Sequence, residues 1–259
     1  MPFVETDGVA VYYRTDGEGP AIVFVHGRAS NHLSWMHQVP DLATDHTVVT
    51  FDLRGFGRTM VRDDQDHSMW TQPQDLATLI DHLELDSVAL VGHAMGGFAV
   101  MDYAYRHPDR TRCLVLASTP AGINDPAVIE GVAETRRDYA KLDYPARNYR
   151  PSFIERRPEI IYQWQAQKEA GPTYPKEFLE PVFDGGGPSA ADLAGFEVPT
   201  LIFAGEYDCV LSVEVAERMA SIIPNSSVVV AEDCGHCAYN ERPLLYNRTI
   251  REFSQANKG

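Results

Sequence analysis

The amino-acid sequence predicts an α/β fold: a doubly wound, mostly parallel sheet with helices on both faces and one helical insertion. Short continuous apolar runs, typical of strands buried on both faces, recur along the chain. Segments with helical periodicity separate these runs, and strands that alternate with helices form parallel sheets. The alternation stops after Pro120 and resumes at Thr200, with short helical segments broken by proline and glycine in between.

The predicted elements follow in a regular order. An opening hairpin is expected across Asp7-Gly8, between the alternating segments 3–6 and 9–14. Continuous apolar runs predict buried strands at 21–25, 47–51, 88–91, 113–117, 200–204 and 227–230. Helical patterns are found at 34–42, 74–83, 98–105, 213–222 and 243–253. Since the hairpin supplies the first two strands, the insertion follows the sixth.

The insertion differs from the rest of the chain in composition. We expect residues 1–120 and 199–259 to form one core and residues 121–198 to form a helical lid. The lid is rich in aromatic residues, which suits a small apolar or aromatic substrate in a mostly apolar pocket. Basic charge is also concentrated there, at Arg136, Arg137, Arg147, Arg150, Arg156 and Arg157. These arginines either form solvated helix faces or bind substrate.

Charge and composition argue against several classes of protein. The formal net charge of −15 argues against binding to nucleic acid, which requires a basic surface, and against binding to an anionic membrane. No apolar run is long enough to cross a membrane, and the first residues lack the pattern of a secretory signal. Cys234-Gly235-His236-Cys237 lacks the second ligand pair of a structural zinc site. We therefore expect a cytoplasmic protein with reduced cysteines that acts on a small molecule and binds no metal and no cofactor.

One strand end carries the motif on which the functional interpretation depends. The apolar run at 88–91 leads into Gly92-His93-Ala94-Met95-Gly96 and then directly into a helical segment. Glycines two positions before and after Ala94 allow the backbone to make a sharp strand-to-helix turn. With serine in place of Ala94, this would be the Gly-x-Ser-x-Gly motif that exposes a nucleophile. Alanine itself carries no nucleophilic group.

Further motifs lie at other predicted strand ends. They are His26-Gly27 after the third strand, Asp52-x-Arg54-Gly55-x-Gly57 after the fourth, and Gly205-x-x-Asp208 with Gly235-His236 near the end. With Gly92-x-Ala94-x-Gly96 they extend over the whole chain, which resembles the α/β-hydrolases. The similarity is to the compact, lid-bearing serine hydrolases that include small esterases, enol-lactonases and carbon–carbon bond hydrolases.

The resemblance implies a role for each motif. Ala94 occupies the nucleophile position, Asp208 the position of the acid, with Glu206 as its nearest rival, and His236 that of the general base. The oxyanion hole would consist of the backbone N–H groups of Met95 and Arg28. Such donors are worth roughly 3–4 kcal/mol each in the transition state.

Other side chains near these motifs have both a functional and a structural interpretation. The Arg28 side chain either steers an anionic substrate or points to solvent. Trp35, Tyr162 and Trp164 either line the substrate pocket or belong to the core. For His93, packing is the better interpretation.

Three explanations account for Ala94. A serine was replaced to trap a bound ligand, or the protein binds a ligand or partner without chemistry, or a His–Asp pair deprotonates the substrate without a nucleophile. The last resembles cofactor-free dioxygenases and lyases of this fold. The first is favoured because His236, Asp208 and both oxyanion donors are retained.

The expected function is therefore hydrolysis by acyl transfer, in a form that lacks its nucleophile. Dehalogenases and epoxide hydrolases of this fold carry aspartate at the position that corresponds to Ala94. Because alanine differs less from serine than from aspartate, these two classes are set aside. Small esters, lactones and activated carbon–carbon bonds fit the motifs equally well.

Overall fold

An eight-stranded sheet forms the centre of the computed structural model, which describes residues 2–28, 30–62, 65–66, 68–170 and 176–257. The strand order is β1-β2-β4-β3-β5-β6-β7-β8. Only β2 pairs antiparallel with its neighbours β1 and β4, while the other adjacent strands run parallel. The strands are β1 (Phe3–Thr6), β2 (Val9–Asp16), β3 (Ala21–Val25), β4 (Thr47–Phe51), β5 (Val88–His93), β6 (Thr111–Ala117), β7 (Thr200–Gly205) and β8 (Ser226–Ala231). The predicted fold class and each predicted strand are confirmed.

The central strands are buried on both faces, which explains their continuous apolar sequences. Every residue of β3 is buried, and its successive side chains alternate between two hydrophobic cores. Val23 and Val25 belong to one hydrophobic core, whereas Ile22 and Phe24 belong to the other. Since successive strand residues point to opposite faces, a strand between two helical layers needs apolar side chains at every position.

Eleven α-helices are present in the described part of the chain. They are α1 (Val39–Leu42), α2 (Gln72–His82), α3 (Gly96–Arg106), α4 (Pro126–Tyr139), α5 (Tyr144–Asn148), α6 (Pro151–Arg156), α7 (Pro158–Ala170), α8 (Glu180–Phe183), α9 (Val213–Ile222), α10 (Ala238–Glu241) and α11 (Pro243–Ala256). The predicted helix at 34–42 is wrong in its extent. A 3₁₀ turn at His32–Trp35 precedes a short α1 that has Pro40 in its first turn, where the missing N–H costs no hydrogen bond.

The segment between β6 and β7 contains α4 to α8, and we call residues 121–198 the lid segment. Its helices start where the sequence places caps and prolines. The Asp125 side chain accepts hydrogen bonds from the N–H groups of Ala127 and Val128, and Pro126 occupies the first turn of α4. The sequence of the lid segment also predicts a short helix at 175–179; residue 175 lies outside the described residues, and Lys176–Leu179 forms a 3₁₀ turn. None of the described helices has the length and apolar character needed to cross a membrane.

Candidate active site

Ala94 lies in a strained turn between β5 and α3. Its φ of +48° falls in the left-handed region, which is unfavourable for residues other than glycine. A Cβ on Gly96 would lie 2.4 Å from the carbonyl oxygen of Val25, and one on Gly92 would lie 2.8 Å from the carbonyl oxygen of Gly96. The two glycines are therefore required because the backbone passes too close for any side chain.

A cavity of about 570 Å³ opens above this turn. Ala94, Met95 and His236 line it from the sheet side, and side chains of the lid segment line it from the other side. We call the ends of β5, β7 and β8, together with the loop after β3, the floor of the cavity. The volume is typical of a site for a small organic molecule.

His236 and Asp208 form a buried hydrogen-bonded pair on this floor. Nδ1 of His236 lies 2.8 Å from Oδ1 of Asp208, which also accepts hydrogen bonds from the N–H groups of Val210 (2.8 Å) and Leu211 (3.2 Å). Burial alone would raise the pKa of the Asp208 carboxyl, but His236 and the Val210 N–H hold it below its usual range. The carboxylate therefore stays ionised and fixes the imidazole with Nδ1 protonated, which leaves Nε2 as a base.

The loop that carries His236 is fixed by several contacts. The N–H of Gly235 donates to the Glu241 carboxylate (2.8 Å), and the N–H of Cys237 donates to the carbonyl of Asn148 (3.1 Å). Nε2–H of His93 donates to the carbonyl of His236 (3.0 Å). The orientation of the imidazole is thus determined by both neighbours of His236 and by its own carbonyl group.

His93 has a hydrogen-bonding role in addition to the packing expected from the sequence. Its ring packs against the rings of His236 and Tyr239, with centroids 4.8 and 4.9 Å away. Burial, and then the neighbouring His236, lower the pKa of His93 to about 3, so the ring is neutral at physiological pH. A neutral ring with Nε2 protonated is the form that the hydrogen bond to His236 requires.

The two expected oxyanion donors lie at the same cavity. Arg28 and Met95 both line it, and among the described residues neither of their backbone N–H groups has a hydrogen-bond acceptor. His26 fixes the start of this loop: Nδ1–H donates to the carbonyl of Gly27 (2.8 Å), and Nε2 accepts from the N–H of Leu53 (3.0 Å). Free N–H groups on a fixed backbone are what an oxyanion hole requires.

The motif after β4 supports the same loop from below. The buried Asp52 carboxylate accepts hydrogen bonds from the N–H of His32 (2.7 Å) and the N–H of Arg58 (2.8 Å), and Nδ1 of His32 lies 2.7 Å from the same carboxylate. Arg54 makes a buried two-point ion pair with Asp75, at 2.6 and 2.8 Å. The sequence motif was recognised, but these supporting roles of Asp52 and His26 only follow from the contacts.

The structure corrects two of the three expected aromatic pocket residues. Trp164 lines the cavity and is 5% exposed, whereas Tyr162 is 75% exposed and points away from it. Trp35 is buried between Phe24 and Tyr239, with ring centroids 4.8 and 5.1 Å away, and does not line the cavity. Trp35 therefore belongs to the core. Cavity-lining residues that the sequence did not single out include Tyr144, Phe183, Cys209 and Tyr239.

One group of three potential metal ligands occurs within the described residues. It consists of Asp208, Cys209 and His236, whose ligand atoms lie within 4.8 Å of one another. Burial and the charge of Asp208 raise the pKa of the Cys209 thiol well above its usual value, so this sulfur is protonated and a poor ligand. Nδ1 of His236 is already hydrogen-bonded to Asp208. The group is better described as an acid–base pair with a neighbouring thiol.

The structure indicates an α/β enzyme with its candidate site at the ends of the strands. The features that indicate it are the parallel sheet, the strained turn at Ala94 and the His236–Asp208 pair. A sequence model described as "alpha/beta hydrolase fold" matches residues 20–243. The chain therefore belongs to the α/β hydrolase fold family, and the family expected from the motifs is confirmed.

Individual relatives cover nearly the whole chain. A non-heme chloroperoxidase from Kitasatospora aureofaciens is 31% identical over 98% of this chain and 99% of its own length. A putative 2-succinyl-6-hydroxy-2,4-cyclohexadiene-1-carboxylate synthase from Bacillus subtilis is 27% identical over 96% of each chain. The solved structure of an N-acyl homoserine lactone degrading enzyme has a TM-score of 0.79 and 28% identity, and covers 97% of this chain and 100% of that one. The hydrolase class expected from the sequence is confirmed.

Proposed function

We propose that this protein is a serine-type hydrolase of small acyl compounds, in a form in which alanine stands in place of the nucleophilic serine. The observation that supports this most directly is the shared cavity: Ala94, with its strained φ of +48°, lines the same space as His236, Arg28 and Met95. The backbone N–H groups of Arg28 and Met95 have no acceptor among the described residues. A strained turn is retained where a function requires it. The arrangement contains every part of an acyl-transfer site except the nucleophile.

The mechanism follows from the geometry once position 94 carries a hydroxyl. That oxygen attacks the substrate carbonyl carbon while Nε2 of His236 takes its proton, and the negative charge on the carbonyl oxygen is bound by the Arg28 and Met95 N–H groups. The tetrahedral intermediate collapses, and the leaving group departs with the proton from His236. Water, deprotonated by His236, then attacks the acyl-enzyme, and the acid product is released as the serine regains its proton.

The relatives support acyl or related small-molecule chemistry. The structural relative degrades an N-acyl homoserine lactone, and the name of the Bacillus subtilis relative includes a carboxylate product. We propose esters, lactones and activated carbon–carbon bonds as the substrate class, with residues 121–198 as the lid over residues 1–120 and 199–259. The cytoplasmic location is part of the same proposal and is supported by four free cysteines.

A second candidate is substrate deprotonation by His236 without a nucleophile. The observation in its favour is that the His236–Asp208 pair is complete and buried while position 94 is alanine. In this reaction Nε2 takes a proton from an acidic carbon or hydroxyl of the substrate, and the charge of the resulting imidazolium is stabilised by Asp208. A protein that only binds its ligand is the third candidate.

The substitution Ala94→Ser distinguishes these candidates. We expect the variant to hydrolyse short 4-nitrophenyl esters about 10³-fold or more faster than the alanine form, because the missing nucleophile is restored to intact surroundings. The matched control is Ala94→Ser combined with His236→Ala, which should lose this gain. No gain with esters, lactones or β-diketones would contradict the proposal.

The alanine form discriminates between the other two candidates. Turnover of a carbon acid, or oxygen consumption, that disappears in His236→Ala would support deprotonation. Tight ligand binding without turnover, unchanged in both Ala94→Ser and His236→Ala, would support a binding protein.

A further inference from the structure

Most arginines of this acidic chain have a carboxylate partner. The arginines within 4.0 Å of a carboxylate oxygen include Arg14, Arg54, Arg106, Arg110, Arg137, Arg150, Arg157, Arg218, Arg242 and Arg251. With 37 acidic and 22 basic residues, partners are abundant. A cavity-lining arginine that has no hydrogen-bonding partner among the described residues therefore has donors available for a ligand.

Four arginines line the cavity, and two of them have no partner. Arg137 is ion-paired with Glu130 (3.0 Å), and the guanidinium of Arg147 donates to the carbonyls of Leu142 and Ala140, both at 2.7 Å. Arg28 and Arg136 make no hydrogen bond or ion pair with any described residue. Both residues are exposed and line the same cavity as Ala94, and their guanidinium N–H donors have no acceptor among the described residues.

The lid holds Arg136 in place by an aromatic contact. The guanidinium carbon of Arg136 lies 4.0 Å from the centroid of the Phe183 ring, so one face of the group is covered while its edge stays available. Burial lowers the pKa of Arg136, the charge of Asp184 acts in the opposite sense, and the charge of Arg28 lowers it further. Two guanidinium groups of the same charge therefore belong to residues that line one cavity.

We propose that Arg28 and Arg136 form a subsite that binds a carboxylate of the substrate, so that the preferred substrate is an acyl compound with a second, anionic end. The proposal rests on the proposed function for the reacting end of the molecule only. A bound anion would neutralise two like charges at one cavity and accept hydrogen bonds from donors that have no acceptor among the described residues. Because the backbone N–H of Arg28 is also an expected oxyanion donor, Arg28 would contact both ends of the substrate: the reacting carbonyl through its backbone and the carboxylate through its side chain.

A carboxylate group matches the chemistry of the subsite. The two arginines supply two positive charges, and the charge of Asp184 acts on the pKa of Arg136 in the opposite sense to burial. The planar carboxylate also matches the paired N–H donors of a guanidinium group. The adjoining wall is apolar, with Leu179, Phe183 and Trp164, which suits a short hydrocarbon linker between the two ends.

Two chromogenic esters of equal acyl length test the subsite. Mono-4-nitrophenyl glutarate carries a terminal carboxylate, and 4-nitrophenyl valerate has a methyl group there. In the alanine form, which lacks the nucleophilic serine, calorimetry gives the dissociation constant of each ester. We expect Arg28→Gln and Arg136→Gln each to weaken glutarate ester binding about 10-fold and the double variant about 100-fold, with valerate ester changed less than about 3-fold.

Two further variants, together with the retained backbone of Arg28→Gln, make the test specific. Arg28→Gln keeps the backbone N–H, so a loss of binding reports on the side chain. Arg136→Lys retains the charge but not the planar fork and should lie between the native protein and Arg136→Gln. Arg156→Gln removes an exposed positive charge of the lid segment away from the cavity and should leave both dissociation constants unchanged.

Two results would overturn the subsite. Equal loss of both esters in the double variant would show that the arginines only hold the lid. Displacement of the glutarate ester by inorganic phosphate at lower concentrations than by glutarate would show a phosphate site. If instead Ala94→Ser hydrolyses neither ester while the alanine form binds the anionic one through both arginines, the proposed function fails and the subsite stands.

Discussion

The two walls of the cavity are built in different ways. On the floor, each group is placed by backbone hydrogen bonds: the N–H of Ala94 donates to the carbonyl of Ala117 (3.0 Å), and the N–H groups of Val210 and Leu211 donate to Asp208. On the lid side, ring contacts between side chains predominate, such as the stacking of Tyr144 on Trp164. Backbone contacts fix positions to a few tenths of an ångström, which acyl transfer requires.

We expect the wall formed by the lid segment to determine substrate choice rather than chemistry. Its helices are short, and the side chains that they turn toward the cavity are aromatic rings and arginines. Such a wall can change its residues without disturbing the floor. The comparison therefore predicts that substitutions on the floor lower kcat, while substitutions on the lid change KM or the preference between substrates.

The largest effect is expected for Asp208→Asn, made together with Ala94→Ser. Loss of the carboxylate removes the charge that stabilises the protonated His236 and the acceptor that fixes its tautomer. We expect kcat for 4-nitrophenyl butyrate to fall about 10³- to 10⁴-fold, with KM changed little. Steady-state kinetics of the purified variants measure both constants.

The control for this substitution is Glu169→Gln in the same background, which removes an exposed carboxylate of α7. It should leave kcat and KM unchanged. A small loss in Asp208→Asn, with a large loss when Glu206 is replaced instead, would move the acid to the rival residue and contradict the assignment.

The floor could be predicted from the sequence because each of its parts follows from local chemistry. Buried parallel strands require continuous apolar runs, and the turn at Ala94 requires Gly92 and Gly96. The contacts that position these parts join residues far apart in the chain: His93 to His236, and Asp52 to His32. No local pattern encodes such partners, so they appear only in the folded structure.

The lid could be predicted as helical, but not which side chains face the cavity. Tyr162 and Trp164 are two positions apart on α7 and therefore lie on nearly opposite sides of the helix. Both are aromatic, so the sequence alone favours neither side. The packing of α7 against Tyr144 and Tyr149 selects Trp164 for the interior.

This pair of residues gives a matched test of the lid wall. In Ala94→Ser, we expect Trp164→Leu to raise KM for 4-nitrophenyl butyrate about 5-fold, because an apolar ring is lost from the cavity wall, and to leave kcat within about 3-fold. Tyr162→Leu should change neither constant, because its side chain points to solvent. A loss of kcat in Trp164→Leu without a change in KM would show that the lid also positions the reacting groups.

The two walls are joined where the lid segment meets the His236 loop. The carboxylate of Glu241 accepts hydrogen bonds from the N–H of Gly235 on the floor and the N–H of Arg150 on the lid (3.0 Å). Arg150 also donates from Nε to Asp233 (3.2 Å), and its guanidinium lies 3.7 Å from the centroid of the Tyr207 ring. A change in the charge or identity of Glu241 therefore affects hydrogen bonds of both walls.

The smallest effect, a change in how Tm depends on pH, is expected from the titration of Glu241. Burial raises the pKa of this carboxyl from 4.5 to about 7, although two backbone N–H groups favour the ionised form. Because the folded protein holds the proton more tightly than the unfolded chain, this contribution to the free energy of unfolding is complete below the ordinary pKa of 4.5 and is lost as the pH rises through about 7.

Glu241→Gln keeps an acceptor for Gly235 but cannot ionise, so Tm measured by calorimetry should fall less between about pH 5 and pH 8 than in the native protein. An equal fall of Tm in both proteins would show that another group is responsible for the titration. An unchanged kcat of Glu241→Gln in the Ala94→Ser background would show that Glu241 affects stability and leaves the geometry of the floor intact.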